Sequence, residues 1–144
     1  MAKAYYSTVF EQRAADVWNM LRDFNSRSIL VRGEGQSEVD DGKSGDTVGA
    51  VWRVHFRDLY IRQRLVAQSD LERSQTYEFC GAPTLALTGY QSTIRVRPVL
   101  DGDRAFVEWS ATFDCEAGRR DELTRTLAAW FEQWLESLRD TMAA

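Results

Sequence analysis

The chain reads as an α+β protein in which a curved antiparallel sheet carries a long C-terminal helix on its apolar face. Two observations predict this. Leu123, Leu127, Trp130, Trp134 and Leu138 recur at steps of three and four, and Phe131 and Leu135 widen the same stripe, which gives a helix of about six turns. Much of the chain from Glu34 to Asp114 alternates apolar with polar residues in short runs broken by turn residues, the period of half-buried strands.

The elements follow in order. Tyr5 to Glu11 is a first strand, with Tyr5, Ser7 and Val9 on one face and Tyr6, Thr8 and Phe10 on the other. Ala14 to Phe24 has helical spacing, Val17, Leu21 and Phe24 aligning beside Trp18 and Met20, and Asn25 to Leu30 reads as a second short helix. Glu34 to Val39 is a short strand, followed by a polar turn cluster from Asp40 to Asp46. Val48 to Phe56 sets Ala50, Trp52, Val54 and Phe56 against Val51, Arg53 and His55, and Leu59 to Gln68 sets Ile61, Gln63, Leu65 and Ala67 against Tyr60, Arg62, Arg64 and Val66. Ser74 to Cys80 sets Tyr77 and Phe79 against Thr76 and Glu78, and Gly81-Ala82-Pro83 breaks it. Tyr90 to Leu100 puts Tyr90, Ser92, Ile94 and Val96 on one face, Asp101-Gly102-Asp103 turns the chain, and Arg104 to Asp114 returns with Ala105, Val107, Trp109, Ala111 and Phe113 inward. The sum is seven strands, one or two short helices after the first strand, and the terminal helix.

At 144 residues with 44% hydrophobic content, one domain with a sizeable core is expected, and no disulfide or metal is needed as a staple. The net charge of −4 gives no overall attraction to nucleic acid or anionic lipid. Cys80 and Cys115 form no CxxC or zinc spacing and read as free thiols in a reducing compartment, hence a cytoplasmic protein. The opening residues carry no charged-then-apolar leader, and no run approaches the length of a membrane span, so no membrane insertion is expected.

The residues also limit the chemistry. A hydrolase triad needs a histidine base beside its nucleophile, and the single histidine, His55, falls on the polar face with Arg53. Asp40, Asp41 and Asp46 share a loop without calcium-loop spacing. Gly42-Lys43-Ser44 resembles the end of a phosphate loop, but Ser37 stands where its first glycine is required. Arg53, His55, Arg57, Arg62, Arg64, Arg95 and Arg97 form a conceivable basic stripe, interrupted by Glu78 and Glu108 and with only Tyr60 for stacking, which reads as an ordinary solvated sheet face rather than a nucleic-acid surface. No metal or cofactor is expected.

Several words of the sequence, in this order, resemble a known superfamily: Ala15-Asp16-Val17-Trp18 and Leu21-Arg22-Asp23-Phe24 after the first strand, Ile61-Arg62-Gln63-Arg64-Leu65-Val66, Tyr77-Glu78-Phe79 leading to Pro83, Tyr90-Gln91-Ser92-Thr93-Ile94, and Val107-Glu108-Trp109-Ser110-Ala111-Thr112-Phe113-Asp114 before the terminal helix. Over nearly its whole length the chain resembles the START/Bet v1-like (SRPBCC) superfamily, in particular its bacterial polyketide cyclase/dehydrase-like branch. The resemblance implies a helix-grip fold, a seven-stranded curved antiparallel sheet wrapped around the C-terminal helix with a cavity between them. It implies hydrophobic small-molecule binding far more strongly than any one reaction. Two departures stand out. Family members often carry an inward glutamate on the strand that holds Gln63, and glutamine cannot serve as acid or base. The tryptophan and proline common after the first helix are replaced by Asn25-Ser26-Arg27-Ser28-Ile29-Leu30, which implies a differently shaped entrance.

The inward polar residues Gln63, Tyr77, Tyr90 and Ser92, surrounded by Trp52, Trp109, Trp130 and Trp134, are then expected either to bond one another in a plain core or to orient a ligand in an apolar cavity. On the second reading Val54, Phe56, Leu65, Phe79, Ile94, Phe113, Leu127 and Phe131 complete the lining. The expected partner is a hydrophobic small molecule, aromatic or polyketide- or lipid-like, with a homodimer left open. Two alternatives accompany it. One is a cofactor-independent cyclase or dehydratase with Tyr77 or Tyr90 as acid or oxyanion donor. The other is a protein-interaction or stress-type domain with a filled core.

Overall fold

The structure, a computed structural model, describes residues 1–23, 30, 35–39, 44–57, 59–81 and 85–143. Its elements are β1 (Ala2–Phe10), α1 (Ala14–Leu21), β2 (Gly35–Val39), β3 (Val51–Phe56), β4 (Leu59–Ser69), β5 (Ser74–Phe79), β6 (Thr88–Val99), β7 (Arg104–Asp114), a 3₁₀ turn at Ala117–Arg119, and α2 (Arg120–Ala143). The strands form one sheet in the order β1-β7-β6-β5-β4-β3-β2, each neighbour antiparallel to the next. In β2 only the Val39 side chain is described. The α+β helix-grip architecture is the one expected from alternation and from the terminal stripe.

Strand alternation translates into burial most cleanly in β7, where Ala105, Val107, Trp109, Ala111 and Phe113 are buried and the intervening residues are partly exposed. Chain reversal between β6 and β7 uses Gly102 at φ 84° and Asp103 at φ 51°, left-handed conformations that glycine and aspartate tolerate best. Over α2 the stripe Leu123, Leu127, Trp130, Phe131, Trp134, Leu135 and Leu138 is buried against the sheet, while Asp121 and Glu122 sit in the first turn, where the helix dipole favours acid. Near its other end Arg139 donates to Thr8 Oγ1 at 2.7 Å and to the Val9 carbonyl at 2.9 Å, and its guanidinium lies 4.8 Å from the Phe10 ring centroid. That contact fastens the end of β1 to the helix.

Four boundaries differ from the sequence reading by two residues or more. β1 starts at Ala2, because Ala2 and Ala4 extend the inward face of Tyr6 and Thr8. β3 starts at Val51, since Thr47 to Gly49 turn and only then join β4 through the Gly49 N–H to the Leu65 carbonyl at 2.8 Å. β6 starts earlier than expected, at Thr88. α1 ends at Leu21 rather than Phe24. The second short helix expected over Asn25 to Leu30 falls, Leu30 apart, outside the described residues. Ala67, expected to point inward, is exposed: a bulge between Leu65 and Ala67 inserts one residue, inverts the parity of β4 and lets the sheet bend.

Helix α1 is docked by a polar clasp. Arg22, just after it, donates to Asp70 through Nε at 2.9 Å and a terminal nitrogen at 3.2 Å, and to Asp46 at 2.9 Å. Trp18 Nε1 donates to the same Asp70 oxygen at 2.9 Å, and Gln75 Nε2 donates to the Arg22 carbonyl at 2.9 Å. Arg22 thereby joins α1 to the β2–β3 connection and to the β4–β5 turn.

Candidate functional site

The interior between sheet and α2 has a polar floor and an aromatic wall. Trp109 Nε1 sits 2.9 Å from both the Tyr77 hydroxyl and Ser92 Oγ and donates to both. Ser92 in turn donates to the Ser110 carbonyl at 2.8 Å. These groups are buried, so the network binds β5, β6 and β7 to one another where water cannot compete. Above it the Trp109 ring stacks on Phe131 at 4.7 Å and 8° and tilts against Trp134 at 5.5 Å, and Trp130 meets Trp134 at 5.8 Å. Sheet and helix therefore meet through rings contributed by both.

One register along, the character changes. Gln63 faces inward between Trp52 on β3 and Phe79 on β5. It is 1% exposed, and its amide oxygen has no hydrogen-bond partner among the described residues. Phe79 stacks face to face on Tyr90 at 3.8 Å and 11°. Both rings line a cleft of about 440 Å³, with Leu87 beside them and Glu78, Gln91 and Thr112 on its polar side. That volume lies within the range of small-molecule sites, roughly 300–1,000 Å³. The cleft occurs where the β6 register shifts between Thr88 and Gln91 and where Gly89 adopts φ 62°, a conformation suited to glycine. Leu87 and Gly89 were not among the expected site residues. A loop residue and a bulge carry no periodic signal, and only the breaker at Gly81-Ala82-Pro83 hinted at an opening here.

Of the expected lining, Trp52, Val54, Gln63, Leu65, Tyr77, Tyr90, Ser92, Ile94, Trp109, Phe113, Leu127, Trp130, Phe131 and Trp134 are all buried in one core, and Phe79 is partly exposed at its edge. The Phe56 side chain lies outside the described residues. Tyr77 and Tyr90, the two candidate acids, part company: Tyr77 belongs to the Trp109 network and Tyr90 to the cleft.

The outer face offers different chemistry. His55 is exposed and packs against Tyr60 at 4.7 Å. Within the basic stripe, Arg64 pairs with Glu78 at 2.7 Å and Arg97 with Glu108 at 3.2 Å. Among the described residues no cluster of three or more His, Cys, Asp or Glu could hold a metal, and no helix is long and apolar enough to cross a membrane.

Solved structures share this fold. An uncharacterised protein from Bacillus thuringiensis is 26% identical over 99% of this chain and 100% of its own, with a TM-score of 0.82. XoxI from Bacillus cereus is 26% identical over 98% of this chain and 95% of its own, with a TM-score of 0.81. A protein from Thermobifida fusca is 26% identical over 96% of this chain and 91% of its own, with a TM-score of 0.82. No curated protein matches the sequence. The family described as polyketide cyclase / dehydrase and lipid transport matches residues 1–143, a family whose description points to hydrophobic ligands. With that match across almost the entire sequence, on a fold whose helix and sheet enclose an aromatic interior, the chain belongs to the polyketide cyclase/dehydrase and lipid transport family.

Proposed function

We propose that the protein binds a hydrophobic, ring-containing small molecule of polyketide or lipid type between the sheet and α2, reached through the cleft at Phe79 and Tyr90. The observation that carries this reading is the position of Tyr90, which is buried at 5% exposure within the aromatic core and also lines a cleft of ligand size. Aromatic walls supply area and stacking, and a few polar groups supply orientation, the usual composition of such sites. Titration with 2-naphthol should quench the tryptophan fluorescence saturably at one molecule per chain, and Phe79→Ala should weaken binding about tenfold by removing one ring of the stack. Non-saturable quenching, or unchanged affinity in Phe79→Ala, would remove the cleft from the site and favour a filled-core interaction domain.

A second reading, a cyclase or dehydratase, is favoured by the same residue. Tyr90 lines the cleft, whereas the Tyr77 hydroxyl accepts from Trp109 in the buried network. A phenol acts best as an acid or oxyanion donor at neutral pH. Turnover of a poly-β-ketone mimic that disappears in Tyr90→Phe would support it, and turnover retained in that variant would exclude Tyr90 from the chemistry.

A further inference from the structure

We infer that Gln63 is the recognition point of the interior, accepting a hydrogen bond from a neutral hydroxyl or N–H on the ligand and so selecting hydroxylated rings over bare hydrocarbons. This rests on the ligand-binding reading above and adds to it the chemical class of ligand.

Gln63 is 1% exposed and its amide oxygen is unbonded among the described residues, which is unfavourable unless something else supplies the proton. The polar groups around Trp109 are engaged with one another: Ser92 donates to the Ser110 carbonyl, and Trp109 donates to both Ser92 and Tyr77. An acceptor left over beside a ligand-sized cleft selects for a donor.

The neighbours define the rest of the ligand. On the same face Trp52 and Phe79 flank Gln63 across the ladder, and Phe79 continues into the stack with Tyr90. Flat rings on both sides suit a flat ring between them. Ile61 and Leu65, the next inward residues along β4, are apolar and buried. None of the described inward residues flanking Gln63, Trp52, Ile61, Leu65 and Phe79, is charged, and Glu78 on the cleft is already paired with Arg64, so an ionised ligand atom at the amide would be desolvated without compensation. A phenol, an enol or an alcohol satisfies the amide oxygen and brings no charge.

The test compares 2-naphthol with 2-methylnaphthalene, equal in shape, on the wild type, Gln63→Leu and Gln63→Met, with each fold checked by circular dichroism. The ratio of affinities, naphthol over methylnaphthalene, should fall about tenfold in both variants, while methylnaphthalene binds each variant at least as well as the wild type. Should one variant fail to fold, the other decides. An unchanged ratio overturns the role of Gln63 and leaves the cavity reading standing. Binding of neither probe to the wild type overturns the cavity reading and this inference with it.

Discussion

Two polar groups in the same interior behave in opposite ways. Around Trp109, the indole N–H and the Ser92 hydroxyl both donate to protein acceptors, and the result ties three strands together. At Gln63, one register away, a buried amide oxygen is left over beside a cleft. The contrast separates polarity that supports the fold from polarity that the fold does not use. Only the second kind is available for recognition, so the distinction can be drawn without knowing the ligand.

The sharpest way to break the comparison is to remove the centre of the first region. Trp109→Ala takes away the ring stacked on Phe131 and the N–H that holds both hydroxyls, and should destabilise the protein by about 3–5 kcal/mol in urea unfolding. A loss below about 1 kcal/mol would mean that the network is not structural. Ser92→Ala should follow, at about 1–3 kcal/mol, because Trp109 loses one of its two acceptors in a buried place.

The clasp on α1 gives a smaller and pH-dependent effect. Arg22, and then Trp18, hold the Asp70 carboxyl below its ordinary value, and Ser44, and then Arg22, do the same for Asp46. A carboxyl whose folded pKa is depressed stabilises the fold fully above its unfolded value near 3.8, and that contribution is lost as pH falls through the folded pKa. Asp70→Asn should therefore lower stability at neutral pH by about 1 kcal/mol or less, the partners being partly in water, and the difference from wild type should shrink as pH falls below the ordinary carboxylate range in matched urea titrations. A difference that persists in acid would show that the clasp acts by shape rather than charge.

The smallest effect is the most discriminating. Gln63→Leu replaces a buried amide whose oxygen has no partner among the described residues by an apolar group of similar size, so thermal unfolding should place it within about 0.5 kcal/mol of wild type or slightly above. A loss as large as that of Ser92→Ala would erase the distinction between the two regions.

Much of this was legible in the sequence. The alternation of β6 and β7 and the step of three and four in α2 determine which side chains face each other, because burial follows period wherever an element has one face in water. What escaped was set by single insertions and by distant partners. The bulge at Leu65 and Ala67 sends Ala67 outward, and a one-residue insertion leaves composition and local propensity unchanged. Arg22 meets Asp70 across 48 positions, and nothing in either neighbourhood announces the other. The inward set was legible for the same reason that its roles were not: alternation says that Tyr77, Tyr90, Ser92 and Gln63 face in, but the hydrogen bonds that separate them depend on ångström-scale placement.

The packing of Trp109, Trp130 and Trp134 has an optical consequence. Indoles with centroids 5.5 and 5.8 Å apart, at 44° and 37°, are close enough for their transition dipoles to couple, so the three rings absorb as a set rather than singly. The protein should show a paired positive and negative band in the far-ultraviolet circular dichroism on top of its backbone signal. Because the coupling depends on mutual angle, a guest that turns one ring by a few degrees would rewrite that pair of bands, making the interior an unlabelled sensor of its own occupancy.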